Sequence, residues 1–342
     1  MRFKPLLPRI GLVAICIATA VAQTANNGSS HEVQALARVE MGEKWGFIDK
    51  AGKWAVPPQF ELASDFSEGL AAVTLGGKAG FINKTGEMAI PAQFDGARSF
   101  YEQRAMVVSS AKQIFIDQTG KAVAQFDFID TDFSEGLAAV VIAGKTGFVD
   151  KTGRVVITPQ FDEGGAFSEQ LAAVTINEKI GFIDNAGKLV IPSQFEGTGN
   201  FSEGLASVKI GGKTGFIDKT GRLVIPAQFE NSGVFSEQLA VANKNGRWGF
   251  IDKTGNWIIS PQFEEARDFC EQVAAVKSGG KWGFIDRAGG TIIRPQFDNA
   301  GSFSEQLAPV WIRSKWGYID KTGKVVIPAQ FESVGTFVRI PI

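Results

Sequence analysis

"LASVKIGGKTGFIDKTGRLVIPAQFENSGVFSEQ", residues 205–238, holds three runs of β-forming residues separated by glycine-bearing turns. The runs "LASVKI", "TGFID" and "RLVIP" are rich in Val, Ile, Leu and Phe, and each is bounded by Gly or Pro. "GGK" is long enough to turn a hairpin between the first two. Asp218 to Gly221 makes the second turn. A type I turn closed by a left-handed residue favours Gly at its end, because a Cβ there is strained. The opening Asp accepts a local backbone N–H, a role that does not depend on its charge. The stretch from "PAQF" to "FSEQ" reads as a compact turn segment leading into the next first strand.

The unit recurs along the chain. Gly46, Gly80, Gly147, Gly181, Gly215, Gly249, Gly283 and Gly317 each open a "GF" or "GY" pair, 34 residues apart except for one gap of 67. That gap contains a degenerate copy, "QIFIDQTG", with Ile114 in place of Gly and a unit one residue short. Nine copies thus run from Leu36 to the C-terminus, and they act as an internal alignment. The turn Gly is present in all nine, and the turn Asp in eight, with Asn83 in the other. Three columns, at "GF", "QF" and "FSE", absorb 26 of the 28 Phe. An aromatic cluster of that size cannot be buried by one unit of 34 residues, so neighbouring units must stack to complete the core.

Composition narrows the function classes. The chain has 342 residues with 35 Lys+Arg against 36 Asp+Glu, so no charge bias favours a nucleic-acid partner. Residues 1–22 read as an export signal: Arg2, Lys4 and Arg9 precede a short apolar run, and Ala20-Val21-Ala22 forms a small-x-small cleavage site. Residues 23–35 are a polar spacer, and residues 36–342 carry the repeats. Cleavage leaves Cys270 as the only cysteine and no membrane-spanning segment, so packing alone must hold an exported, periplasmic or secreted fold.

"WGFID" with its glycine turn, then "VIPAQFE" and "FSEGLA", resembles the WG-repeat family, found mainly in bacteria. The resemblance covers nearly the whole body after the spacer. It implies an all-β repeat protein with an interaction or scaffold role and no general enzymatic activity, and it transfers no functional residues. The Trp-Gly pair itself stands only at Trp45, Trp248, Trp282 and Trp316; Ala79, Gln113, Thr146, Ile180 and Thr214 replace it elsewhere.

Two architectures fit the count. The unit shows three strands in 34 residues, whereas propeller blades usually carry four strands in about 40 or more. An open β-solenoid or superhelical array of three-stranded antiparallel meanders is therefore favoured over a closed, propeller-like ring. Each repeated polar column reads as structure before chemistry. The Asp column offers one carboxylate per turn, too few for calcium. The "FSE" Glu column suits the backbone N–H groups of its tight turn, and the Gln column suits buried amides. Cys270 has no histidine in the repeats to serve as its base. No catalytic, cofactor or metal site follows. The variable tryptophans Trp45, Trp248, Trp282 and Trp316 are the one candidate face for a protein partner or an envelope glycan. The expected function is a non-enzymatic interaction or envelope scaffold, with a tryptophan-based glycan module as the alternative.

Overall fold

The computed structural model describes residues 34–340. The expected leader at 1–22 and nearly all of the spacer at 23–35 lie outside the described residues. Within them, eight of the nine sheets have four antiparallel strands and not three, and the ninth, which joins the two ends of the repeat array, has five. Leu62–Ala63, Ala71–Leu75, Lys78–Ile82 and Met88–Phe94 make up one four-stranded sheet in that order. The additional strand has two residues and leaves no periodicity to read.

The sheets close into a ring. Ser333–Val334 and Val338–Ile340, from the end of the chain, pair with Gln34–Met41 at its beginning. The last unit therefore supplies the short strand of the first sheet, and nine sheets form a nine-bladed β-propeller. This overturns the expected open array. The length argument failed because the fourth strand is only two residues long and the connections before it and in the first hairpin are minimal. One residue, such as Glu61, separates the third strand from the next short strand. The first hairpin and the "FSE" turn each have two central residues with positive φ, the twist-matched primed geometry. Gly76 and Gly77 take it with φ of 60° and 72°, and Glu68 and Gly69 with 52° and 85°.

Each junction between blades repeats the same contacts. The "GF" ring of one blade packs on the "FSE" ring beyond the short strand of the next, as in Phe47–Phe66 at 4.7 Å and Phe216–Phe235 at 4.9 Å. Ser67 Oγ donates to the Phe100 carbonyl, and Ser202 Oγ to that of Phe235. The closing junction has the same chemistry: Tyr318 stacks on Phe337 at 5.0 Å, and Ser304 Oγ donates to the Phe337 carbonyl at 2.7 Å. Tyr318 adds a hydrogen bond from its hydroxyl to the Gly335 carbonyl at 2.8 Å. Chain ends far apart in sequence thus meet through the contacts that join consecutive repeats.

The polar columns find their places in this frame. Asp49 Oδ1 accepts from the N–H groups of Ala51 and Lys53, both at 2.9 Å, and Asn83 does the same for Thr85 and Glu87. The "FSE" carboxylate does bind a tight turn, but in the following blade: Glu68 accepts from Gln103 N and Glu237 from Gln272 N. The Gln column corrects the expectation. Phe60 points inward on its strand, so two-residue alternation turns its neighbour Gln59 out, and all nine Gln are exposed. The turn Gly has a second cause beside its φ. A Cβ on Gly86 would lie 2.8 Å from Val56 of the preceding blade.

The irregular third copy is also explained. In the regular blades the third strand bulges opposite the "GF" Gly, so a Cβ on Gly215 would stand 2.5 Å from the Ile225 carbonyl oxygen. Around Ile114 the ladder runs without that bulge, pairing Gln113 with Phe126 and Ile114 with Gln125. The shortened, proline-free strand Ala122–Phe126 makes room for the Ile side chain.

Candidate functional site

Four positions meet at every junction, and the first blade shows their full complement. Arg38, on the first strand, lays its guanidinium 5.0 Å from the Trp45 ring centroid. Its Nε donates to Asp65 Oδ1 at 2.9 Å and its Nη1 to the Ala63 carbonyl at 2.7 Å. Burial raises the Asp65 carboxyl, and the Arg38 charge and hydrogen bond oppose that rise. Gly335 completes the set, and a Cβ there would collide with Asp65 and Arg38. Ring, guanidinium and carboxylate thus form one sandwich.

Other junctions keep parts of this set. Arg98, at the Gly335 position of its blade, stands 3.7 Å from Asp132. Arg267, at the same position two-thirds of the way round, lies 5.0 Å from the Trp282 ring centroid and donates to the Ala300 carbonyl. One junction keeps both the ring and the acid without a cation between them. There Trp248 occupies the Trp45 position and Asp268 the Asp65 position, while Val241 and Gly233 stand where Arg38 and Gly335 stand. The match is geometric: a Cβ on Gly233 would lie 2.5 Å from Asp268 Oδ1 and 2.8 Å from the Val241 side chain.

Asp268 differs from Asp65, and from Asp132, whose Oδ1 is also buried without a hydrogen bond but faces Arg98 at 3.7 Å, in having no cation opposite it. Its Oδ1 is buried and has no hydrogen-bond partner among the described residues, and the same holds for Ser232 Oγ and Asn243 Oδ1 nearby. Burial alone pushes its carboxyl up to about 6. Asp268 and Ser232 line a cavity of about 470 Å³, together with Ser207, Thr214 and Asn231. Thr214 occupies the Trp position of its blade, and the volume left by the missing indole helps to open this space. A second cavity, of about 770 Å³, lies beside Ala79, the small residue at the same position in another blade, with Arg38 and Asp65 already paired in its wall.

The four tryptophans named from sequence fall at equivalent positions. Ring closure sets Trp45 after Trp316, so Trp248, Trp282, Trp316 and Trp45 occupy four consecutive blades. They do not lie open as a stacking platform. Trp282 is buried, and Trp45, Trp248 and Trp316 are half-buried against the cores of their junctions. Cys270 is buried and forms no disulfide. Among the described residues no three His, Cys, Asp or Glu side chains converge as a metal site, and no helix is long and apolar enough to cross a membrane.

The family model described as "WG containing repeat" matches nine consecutive segments, from residues 45–78 to residues 316–339. The chain belongs to the WG-repeat family. No curated protein matches it in sequence. A crystal structure described as a eukaryotic initiation factor superposes with a TM-score of 0.66 over 90% of this chain and 98% of its own, at 13% identity. Dihydro-heme d1 dehydrogenase NirN reaches a TM-score of 0.51 over 96% of this chain and 79% of its own, at 11% identity. At such identities the likeness concerns the propeller fold alone.

Asp268 was missed in the sequence although a signal existed. Counted back from the "FSE" Phe, the acid recurs at its place only as Asp65 and Asp132. Both of those face an arginine of the preceding blade, a pairing that becomes visible only once adjacent blades are known.

Proposed function

We propose that this WG-repeat propeller is a non-enzymatic scaffold that acts after export and binds a protein partner through the polar cavities between its blades. The observation carrying the reading is the cavity at Asp268. There Asp268 Oδ1 and Ser232 Oγ are buried and unpaired beside an open space, and unpaired buried groups are costly unless something meets them. The "FSE" carboxylates staple each blade to the next, so the cavity walls are preorganised for binding. The basic and apolar start of the chain supports export. A protein partner is preferred to a glycan because sugar stacking needs open indole faces, and these indoles are inserted into blade junctions.

Crosslinking pull-down with the chain beginning at residue 23, from an envelope fraction, tests the scaffold. It should enrich a protein partner over an unrelated exported propeller, and failure to do so removes the reading. Fusing residues 1–35 to a reporter active only outside the cytoplasm tests export, which an inactive reporter would refute.

A further inference from the structure

We infer that the slot at Asp268, where its carboxylate meets the cavity beside Thr214, is a receptor for a guanidinium group, taking the arginine side chain of a partner polypeptide. The inference rests on the scaffold reading and specifies what the scaffold grips.

The repeats themselves supply the argument. In the first blade the same ring and acid positions, Trp45 and Asp65, hold the guanidinium of Arg38 between them. Asp132, the third acid at this position, also faces an arginine, Arg98. Trp282, without an acid at its junction, still carries a guanidinium, that of Arg267. The chain thus places a guanidinium at this junction three times from two different backbone sites, hydrogen-bonded to the acid at Asp65, 3.7 Å from it at Asp132, and against an indole at Trp282. At Asp268 the acid persists while Val241 and Gly233 provide no cation, and the cavity it lines opens toward Thr214 and Ser207.

The local chemistry fits that ligand. Asp268 Oδ1 is the unfilled acceptor that corresponds to the Arg38-bound oxygen of Asp65. A guanidinium presents five donors in a planar fork, so it can meet a buried carboxylate and keep donors for the polar groups around it. An ammonium lacks the planar fork, and an anion would meet an acid. The cavity beside Asp268, about 470 Å³, has room for a side chain together with part of its backbone. Ser232 and Asn231 at its wall supply further polar groups for that backbone.

Isothermal titration of the chain with acetylated and amidated Gly-Arg-Gly tests this, with Gly-citrulline-Gly, Gly-Lys-Gly and methylguanidinium as comparisons. The arginine peptide should bind at least about tenfold more tightly than its citrulline isostere, which keeps the shape and loses the charge. Asp268→Asn should weaken it by at least about tenfold, with an unchanged circular dichroism spectrum as the folding control. Val241→Arg should abolish binding by placing a guanidinium from within, as Arg38 does. Tighter binding of the peptide than of methylguanidinium assigns the ligand to a polypeptide; equal affinities would overturn that assignment in favour of a small guanidinium compound. No detectable binding of the arginine peptide at millimolar concentration, equal binding of arginine and citrulline peptides, or full binding by Asp268→Asn would each overturn the slot. The scaffold reading is judged separately: a partner captured equally by wild type and Asp268→Asn would leave the scaffold standing and the slot refuted.

Discussion

Replacing Asp268 by Asn should stabilise the protein at neutral pH and leave it nearly unchanged in acid. The folded carboxyl is raised from 3.8 to about 6 because burial disfavours its charge and no cation answers it. An unfolded chain releases this proton near 3.8, whereas the folded chain holds it until about 6. The folded state is therefore the one that binds the extra proton in that window, and its stability declines as pH rises through it. Above the window the whole cost is present. The difference corresponds to a ceiling of about 3 kcal/mol, and local relaxation and water entry reduce the expected gain to about 1–2 kcal/mol. For a body of this size that is a rise in Tm of roughly 2–4 °C at pH 7. Thermal and urea melts of both proteins, taken in steps from acid to neutral pH, provide the assay. The two stability curves should converge near the unfolded pKa, separate through the window and run parallel above it. A gap independent of pH, or a variant less stable than wild type at pH 7, would refute the claim that Asp268 is buried without a counter-charge.

Gly86→Ala should destabilise by about 2–4 kcal/mol, since it meets both a φ of +85° and the Val56 side chain, whereas Gly42→Ala, at φ +61° with open space around it, should lose only about 1 kcal/mol; urea melts that rank them equally would remove the inter-blade contact as a cause. Tyr318→Phe restores the residue used at the other junctions but leaves the Gly335 carbonyl without its donor, and should cost about 1–2 kcal/mol by chemical denaturation. Gly215→Ile should abolish soluble monomer, judged by size exclusion, because its Cβ would stand 2.5 Å from a backbone oxygen that only removal of the bulge can displace. Its recovery as a folded monomer would refute the account given for Ile114.

Much of the blade was legible because its causes are local. Asp218 and Gly221 shape their turn through atoms within the same few residues, and internal copies display what the turn tolerates. The closed ring was not legible, for a reason of length. Leu62–Ala63 and its counterparts are too short to carry alternation, and the strand that closes the first sheet comes from the far end of the chain. Counting strands per unit therefore gave three, and the count decided for the wrong architecture. The Gln column failed differently. Its invariance was taken as a sign of burial, yet Gln59 sits on the outward phase of a strand whose inward phase is filled by Phe60. Nothing in the structure explains why all nine copies keep it.

The candidate site shows the limit of reading columns one at a time. Trp248 stands out in the sequence as part of a candidate partner face because Trp is replaced so freely at its position. The structure instead makes that position a plug between blades: an indole fills it at Trp282, and cavities open where Thr214 and Ala79 stand. Variation there records which junctions are filled and which are left open. A second column, holding Asp65, Asp132 and Asp268, gains meaning only beside a third and a fourth, at the Arg38 and Arg98 positions. Arginine moves between those two positions and still reaches an acid or an indole, so neither column looks conserved by itself. What the repeats preserve is a set of positions occupied by Arg38 in one blade and by Arg267 in another, and left without a cation at Asp268, whose Oδ1 has no hydrogen-bond partner among the described residues. Function in such an array is therefore written in the departures from the repeat, and the departure that matters here is the absence of a charge whose binding site is still present.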